Sequence, residues 1–201
     1  MLQQRPGQSP TEPFEGFNST LQEARLYAGM NNAVSFFGSV NFLYAQSQKA
    51  GVAFPEKDIR ESLDILCQKA GDNLTSALGF LEEVQASQVP FANDYAAGVR
   101  NQIPELGMTM LVRAKRTAKN SWRTGSAKVL EDVIKLETAR AYGFEWPEGT
   151  KEALFESLYE KGVKFALYVA NNYCKEGSKR QQKLLAKAAA TAEALHRELP
   201  K

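Results

Sequence analysis

Apolar side chains recur at three- and four-residue steps along most of this 201-residue chain, a spacing that places them on one face of an α-helix. No segment of four to eight residues alternates apolar and polar positions in the way that predicts a strand. Glycines and prolines separate the periodic stretches, and no fixed repeat length recurs. The pattern therefore predicts an all-α fold, an irregular bundle of six to seven helices.

The predicted helices differ in length. They cover residues 19–49, 56–86, 91–103, the stretch between Pro104 and Gly125, and residues 127–142, 151–173 and 178–199. Residues 56–86 fit either one helix kinked at Gly71 or two helices, the second capped by Asp72. In the helix 151–173, which Thr150 would cap, the predicted buried face consists of Leu154, Leu158, Phe165, Val169 and Tyr173.

The N-terminal region differs from the rest of the chain, because three prolines and two glycines fall within residues 1–17. Such a density of helix breakers predicts a flexible leader, disordered over residues 1–17, followed by a single helical domain over residues 18–201. Ser19 with Gln22, or Thr20 with Glu23, would cap the first helix. Within that helix, Gly29 and Gly38 each cost about 1 kcal/mol relative to alanine, which predicts another backbone packed close to them.

The composition is that of a globular protein, with 43% hydrophobic and 24% charged residues. The most apolar window, residues 30–44, contains three asparagines and is shorter than the roughly 20 residues of a membrane-spanning helix. The N-terminus lacks the apolar core of a signal peptide, and Cys67 and Cys174 lie in apolar helical surroundings that favour free, buried thiols. These features predict a cytoplasmic protein that does not contact membranes.

Charge is concentrated in residues 108–128, which carry six basic side chains and no acidic one. The whole chain is only +2, so the remainder is net acidic. On a helical wheel Arg113, Arg116, Lys119 and Arg123 share one face, with Lys115 at its border. Trp122 falls on the opposite, apolar sector, so it is either a core residue or a ring beside the arginines that stacks on a nucleic-acid base.

A second basic run opens the last helix. Lys175, Lys179, Arg180, Lys183 and Lys187 are opposed there only by Glu176. Cations near a helix N-terminus face the positive end of the helix dipole, an arrangement that a phosphate bound at that terminus would stabilise. For both runs the alternative is an ordinary solvated helix face.

Catalytic and metal sites find little support in the residue types present. Histidine occurs once, at His196, and Glu193 with His196 is the only Glu-x-x-His pair, whereas a helical di-iron site needs two. Two distant cysteines and one histidine do not make a zinc site. We therefore predict no catalytic residue, no metal and no cofactor, and favour a non-enzymatic protein. The loop 143–150 holds Phe144 and Trp146, which either close over the end of the helices or form a partner-binding patch.

The sequence hypothesis is thus a helical subunit that binds a nucleic-acid backbone without base specificity, DNA and RNA not being distinguished, within a larger nucleoprotein assembly. The candidate binding residues are Arg113, Lys115, Arg116, Lys119, Trp122, Arg123, Lys128, Lys179, Arg180 and Lys183. The alternative is a protein–protein scaffold that binds an acidic protein or a second copy of the chain and docks through Phe36 and Phe37. A helical-bundle enzyme or a lipid-binding protein comes third. A shared surface for the two basic runs would favour the nucleic-acid hypothesis.

Overall fold

The computed structural model describes residues 16–200, and the fold over this range is helical, with no strand. The all-α prediction is confirmed, but the eleven α-helices exceed the six to seven predicted. The helices are α1 (Phe17–Gly29), α2 (Ala33–Ala50), α3 (Glu56–Ala70), α4 (Leu74–Ala86), α5 (Asn93–Arg100), α6 (Ile103–Ala118), α7 (Ser121–Thr124), α8 (Ala127–Ala139), α9 (Thr150–Leu158), α10 (Phe165–Tyr173) and α11 (Lys179–Ala194). A 3₁₀ turn (Arg140–Tyr142) follows α8, and a π-helical segment (Tyr159–Lys164) joins α9 to α10.

The backbone divides into two compact units, one ending at Ile103 and the other beginning at Pro104. The predicted single domain over residues 18–201 stays a prediction. The predicted leader lies outside the described residues except at Gly16 and Phe17, and Phe17 already begins α1. The predicted capping pairs at the start of this helix are wrong, because Ser19 and Thr20 both donate their hydroxyls to the carbonyl of Gly16.

The first unit contains a break that the sequence pattern did not reveal, because the predicted helix 19–49 is two helices. Asn31 has a left-handed backbone (φ 56°), a conformation that asparagine tolerates better than most residues. Asn32 then caps α2, since its side-chain oxygen accepts a hydrogen bond of 3.1 Å from the amide of Ser35. The two asparagines thus end one helix and start the next without interrupting the apolar spacing.

The segment 56–86 forms two helices, which resolves the alternative that the sequence left open. The cap of α4 is Asn73, whose side-chain oxygen accepts from the amide of Ser76 at 3.0 Å, and not Asp72. We expect Asn73→Ala to lower the free energy of unfolding by about 1 kcal/mol, the usual contribution of such a cap. Asp72→Ala, one residue outside the helix, is the matched control and should change it by a few tenths at most. Urea unfolding followed by circular dichroism measures both, and equal losses would contradict the assignment.

Aromatic side chains fill the core of the first unit. Phe36 and Phe37 are buried and meet edge to face with ring centroids 5.1 Å apart, and Phe37 lies 6.0 Å from Phe80 of α4. Fully burying each such ring contributes about 1.5–3 kcal/mol. Phe36 and Phe37 themselves therefore belong to the core, and docking of a partner on the helix around them stays a prediction.

The closely packed glycines are not those predicted, and their neighbours are side chains. No atom lies within 4 Å of a Cβ added at Gly29 or Gly38, so that prediction is wrong. In the second unit, a Cβ at Gly107 would lie 2.8 Å from Cε2 and 2.9 Å from Cγ of Phe144. Phe144 is buried and meets Trp146 edge to face at 5.8 Å, which confirms that this ring closes onto the helices.

A π-helical segment, Tyr159–Lys164, interrupts the predicted helix 151–173. Leu154 and Leu158 are buried before the segment, Gly162 and Val163 within it, and Ala166, Val169 and Ala170 after it. The predicted burial of Leu154, Leu158 and Val169 is confirmed. Phe165 and Tyr173 are 37% and 67% exposed, so their predicted burial is wrong. Thr150 begins α9 instead of capping it.

Candidate nucleic-acid interface

The prediction that the basic stretch forms one continuous two-faced helix is wrong. Helix α6 ends at Ala118, and a turn closed by the Asn120 amide on the Thr117 carbonyl leads into the short helix α7. Arg113, Lys115 and Arg116 therefore remain on α6, whereas Trp122 and Arg123 lie on α7. The helical wheel that placed Arg123 with Arg116 extended the helix through this turn, and is wrong beyond Ala118.

Arg113 and Lys128 are already paired with an acidic residue. Asp132 of α8 is fully buried and accepts two hydrogen bonds from Arg113, at 2.6 Å from Nη2 and 3.2 Å from Nε, while Lys128 Nζ lies 3.7 Å away. Lys128 also reaches Glu131 at 3.5 Å. Acids of α8 therefore balance both charges, which the charge count within residues 108–128 did not show. Asp132 follows Val129 by three residues and precedes Leu136 by four, and this position on the apolar face could have revealed it.

The other cations of this stretch are exposed. Lys115, Arg116 and Lys119 have no carboxylate within 4 Å among residues 16–200. Lys115 and Lys119 line a pocket of about 230 Å³ together with residues of α9, and Arg116 does not.

The two basic runs meet at a different pocket within the second unit. It has a volume of about 330 Å³ and is lined by Trp122, Arg123, Arg180, Lys183, Leu184 and Lys187. We call it the α7–α11 pocket. Arg123 comes from the first run and Arg180, Lys183 and Lys187 from the second, so the structure joins Arg123 to Arg180 and Lys183, whereas Arg116 and Lys119 do not line this pocket. Lys179 is exposed in the first turn of α11 and does not line the pocket.

Local packing fixes the walls of this pocket. Trp122 is half-buried and packs on Val169, Ala170 and Leu184, so its two sequence interpretations are compatible: one part is core and another lines the pocket. Lys187 Nζ donates to the carbonyl of Arg123 at 2.6 Å and so ties α11 to the end of α7.

A glycine allows these helices to approach. A Cβ at Gly162, in the π-helical segment, would lie 3.1 Å from both Ser121 Oγ and Thr191 Cγ2. Ser121 begins α7 and Thr191 belongs to α11, so the three elements meet at this point.

The charge in the α7–α11 pocket is unbalanced. Arg123, Arg180 and Lys183 are exposed, and no carboxylate in the described part of the chain lies within 4 Å of any of them. Arg123 Cζ lies 5.9 Å from the centroid of the Trp122 ring. The N-terminus of α11 is capped internally, since Ser178 Oγ accepts from the amide of Gln181 at 3.2 Å. An anion would therefore be held mainly by the side chains.

A row of aromatic rings continues from the pocket wall. Trp122 meets Phe165 edge to face at 5.3 Å, Phe165 lies 6.1 Å from Tyr168, and Tyr168 lies 5.7 Å from Tyr173. The hydrogen bond between the two tyrosine hydroxyls, 3.4 Å long, raises the pKa of Tyr168 above its ordinary value. The sequence pattern did not predict this row, because it placed Phe165 and Tyr173 on the buried face of their helix.

The remaining chemistry is sparse. Burial raises the pKa of the half-buried Cys67 thiol, which disfavours the reactive thiolate. Within residues 16–200 no three His, Cys, Asp or Glu side chains come together in a way that could hold a metal ion. No helix in that range is long and apolar enough to cross a membrane.

No protein-family model, curated protein or solved structure matches the chain. The functional argument therefore depends on the site itself.

Proposed function

We propose that this protein binds the phosphate backbone of nucleic acid, without base specificity, at the α7–α11 pocket. The observation that carries the proposal is the convergence of Arg123, Arg180 and Lys183, from helices distant in sequence, on one pocket without a carboxylate. Like charges brought together repel one another unless an anion answers them. Arginine suits a phosphate because its planar guanidinium donates two parallel hydrogen bonds.

The support is stronger here than on α6. Of the α6 and α8 residues in the original hypothesis, Arg113 and Lys128 already neutralise Asp132. Lys115, Arg116 and Lys119 remain available to extend a binding surface. Lys187, whose Nζ is held by the Arg123 carbonyl, adds positive potential to the pocket at a fixed place.

The test compares two variants that each remove two positive charges. Arg180→Ala with Lys183→Ala changes exposed pocket residues on a helix, where alanine is well tolerated. We expect it to weaken binding to 20-nucleotide single strands and duplexes by about tenfold at low salt, and to reduce the salt slope by roughly 0.7 to 0.9 per lost phosphate contact. Fluorescence anisotropy between 50 and 200 mM salt measures both quantities.

The matched control is Lys49→Ala with Lys57→Ala, two exposed lysines of the first unit. It removes the same net charge from the unit that does not contain the pocket, and should bind as the unsubstituted protein does. Unchanged binding by the pocket variant, or equal losses in the two variants, would contradict the proposal.

A second candidate function is a protein–protein scaffold. Three apolar side chains around the α1–α2 junction are largely exposed, namely Leu26 (59%), Met30 (64%) and Val34 (65%). A group of exposed apolar residues is typical of a protein–protein interface, whereas a single one needs no explanation. Light scattering that shows oligomers, together with no affinity for oligonucleotides, would favour this candidate.

A further inference from the structure

The aromatic row beside the α7–α11 pocket bears on whether the proposed nucleic-acid ligand is single- or double-stranded. Tyr168 and Tyr173 are 51% and 67% exposed, and Phe165 is 37% exposed. Large rings usually avoid water because each one carries a large apolar surface. Here four rings lie in one connected series, and the series starts at the wall of the positively charged pocket.

A π-helical segment lies directly before this surface, since Tyr159–Lys164 ends where Phe165 begins α10. In α10 the buried positions are Ala166, Val169 and Ala170, and the rings of Phe165, Tyr168 and Tyr173 are exposed. π-bulges are often found at functional sites.

Charge accompanies the rings along the row. Lys161 Nζ lies 5.6 Å from the Phe165 centroid, and no carboxylate in the described residues lies within 4 Å of it. A depression of about 230 Å³ adjoins it, lined by Glu160, Lys161, Lys164, Phe165 and Tyr168. Lys164 is paired with Glu160 at 2.5 Å, so Lys161 is the cation available there.

We infer that the site takes a single strand, with phosphates held by Arg123, Arg180 and Lys183 and successive bases stacked on Phe165, Tyr168 and Tyr173. Cations that follow the backbone beside exposed rings are the recurring arrangement of single-strand sites, and stacking tolerates any base. In a duplex the base faces are covered by their neighbours. The ring centroids are 5.7 and 6.1 Å apart, wider than the roughly 3.4 Å rise of stacked bases, which suits an extended, unstacked strand.

This inference rests on the proposed function, and the experiment separates the two. The ligands are a twelve-residue oligothymidylate and an abasic strand of equal length, which has the same phosphates and no bases. We expect the unsubstituted protein to bind oligothymidylate at least tenfold more tightly than the abasic strand, in line with about five- to hundredfold per stacked base. Tyr168→Leu with Tyr173→Leu should remove most of this preference while leaving affinity for the abasic strand unchanged.

Two further variants complete the test. Arg180→Ala with Lys183→Ala should weaken binding of both strands, and Phe42→Leu, at a half-exposed ring of the first unit, should change neither. Circular dichroism checks that each variant is folded, and the ligand comparison on the unsubstituted protein needs no variant.

Each other outcome contradicts a specific statement. Equal affinity for the two strands, with both weakened by the pocket variant, would overturn stacking and leave backbone binding intact. Tighter binding to a duplex than to the single strand would also overturn the single-strand inference. Binding of polyglutamate as tightly as oligothymidylate would favour an acidic protein partner and overturn it. No binding of either strand would overturn both proposals.

Discussion

Gly107→Ala is expected to lower the free energy of unfolding by about 2 kcal/mol, although alanine is the better helix former. Gly107 lies inside α6, where alanine by itself would gain about 1 kcal/mol. The added methyl group, however, would lie within 2.9 Å of Cγ and Cε2 of Phe144, whose ring is buried. Overpacking of this kind costs about 1–3 kcal/mol, and a rigid buried ring places it near the upper limit.

Two comparisons isolate that contact. Gly38→Ala in α2 makes the same chemical change with no atom within 4 Å, and should raise the free energy of unfolding by up to about 1 kcal/mol. In a Phe144→Leu background, Gly107→Ala should no longer destabilise, since the ring that it meets has been removed. The coupling energy between positions 107 and 144 follows from urea unfolding of four proteins: the unsubstituted protein, the two single variants at these positions and the double variant. Additive effects of the two substitutions would contradict the contact.

Helix formation could be predicted from the sequence. The residues at which helices end, and the side chains that each helix buries, could not always be predicted. Apolar periodicity identified all-α structure because each helix buries one stripe. The break at Asn31 and Asn32 escaped it, since a left-handed residue followed by a cap costs no apolar position. The π-helical segment escaped it for a related reason. Burial continues through it at the usual spacing, because Gly162 and Val163 are both buried after Leu158.

The candidate site, too, could be predicted from the sequence only in part. Composition alone located both basic runs, including Arg123, Arg180 and Lys183, which line one pocket in the structure. Which charges are paired depends on tertiary contacts. Asp132, for example, pairs with Arg113 although the two residues are 19 positions apart and lie on different helices. The nearness of α7 to α11 depends on Gly162 and on Lys187 reaching the Arg123 carbonyl, neither of which leaves a periodic trace in the sequence.

Asp132→Ala is expected to destabilise the protein by about 2–3 kcal/mol. Breaking a buried ion pair typically costs about 3–5 kcal/mol because an uncompensated charge is left behind. Here the remaining partner, Arg113, has a side chain that is 44% exposed and can turn toward water, which places the loss below that range. Asp132→Asn keeps one oxygen as an acceptor and should lose about half as much. A loss below about 0.5 kcal/mol for Asp132→Ala, measured by urea unfolding, would contradict the role of this pair.

The same substitution separates the α6 face from the α7–α11 pocket as the binding surface. Asp132→Asn releases Arg113 and Lys128 from their shared carboxylate without touching the pocket. If a nucleic-acid backbone follows α6, two newly available cations should tighten binding and steepen its salt dependence by roughly 0.7 to 0.9 per added contact. Because we place the ligand at Arg123, Arg180 and Lys183, we expect affinity and salt slope to stay as in the unsubstituted protein. A steeper salt dependence would instead indicate that the nucleic acid binds along α6.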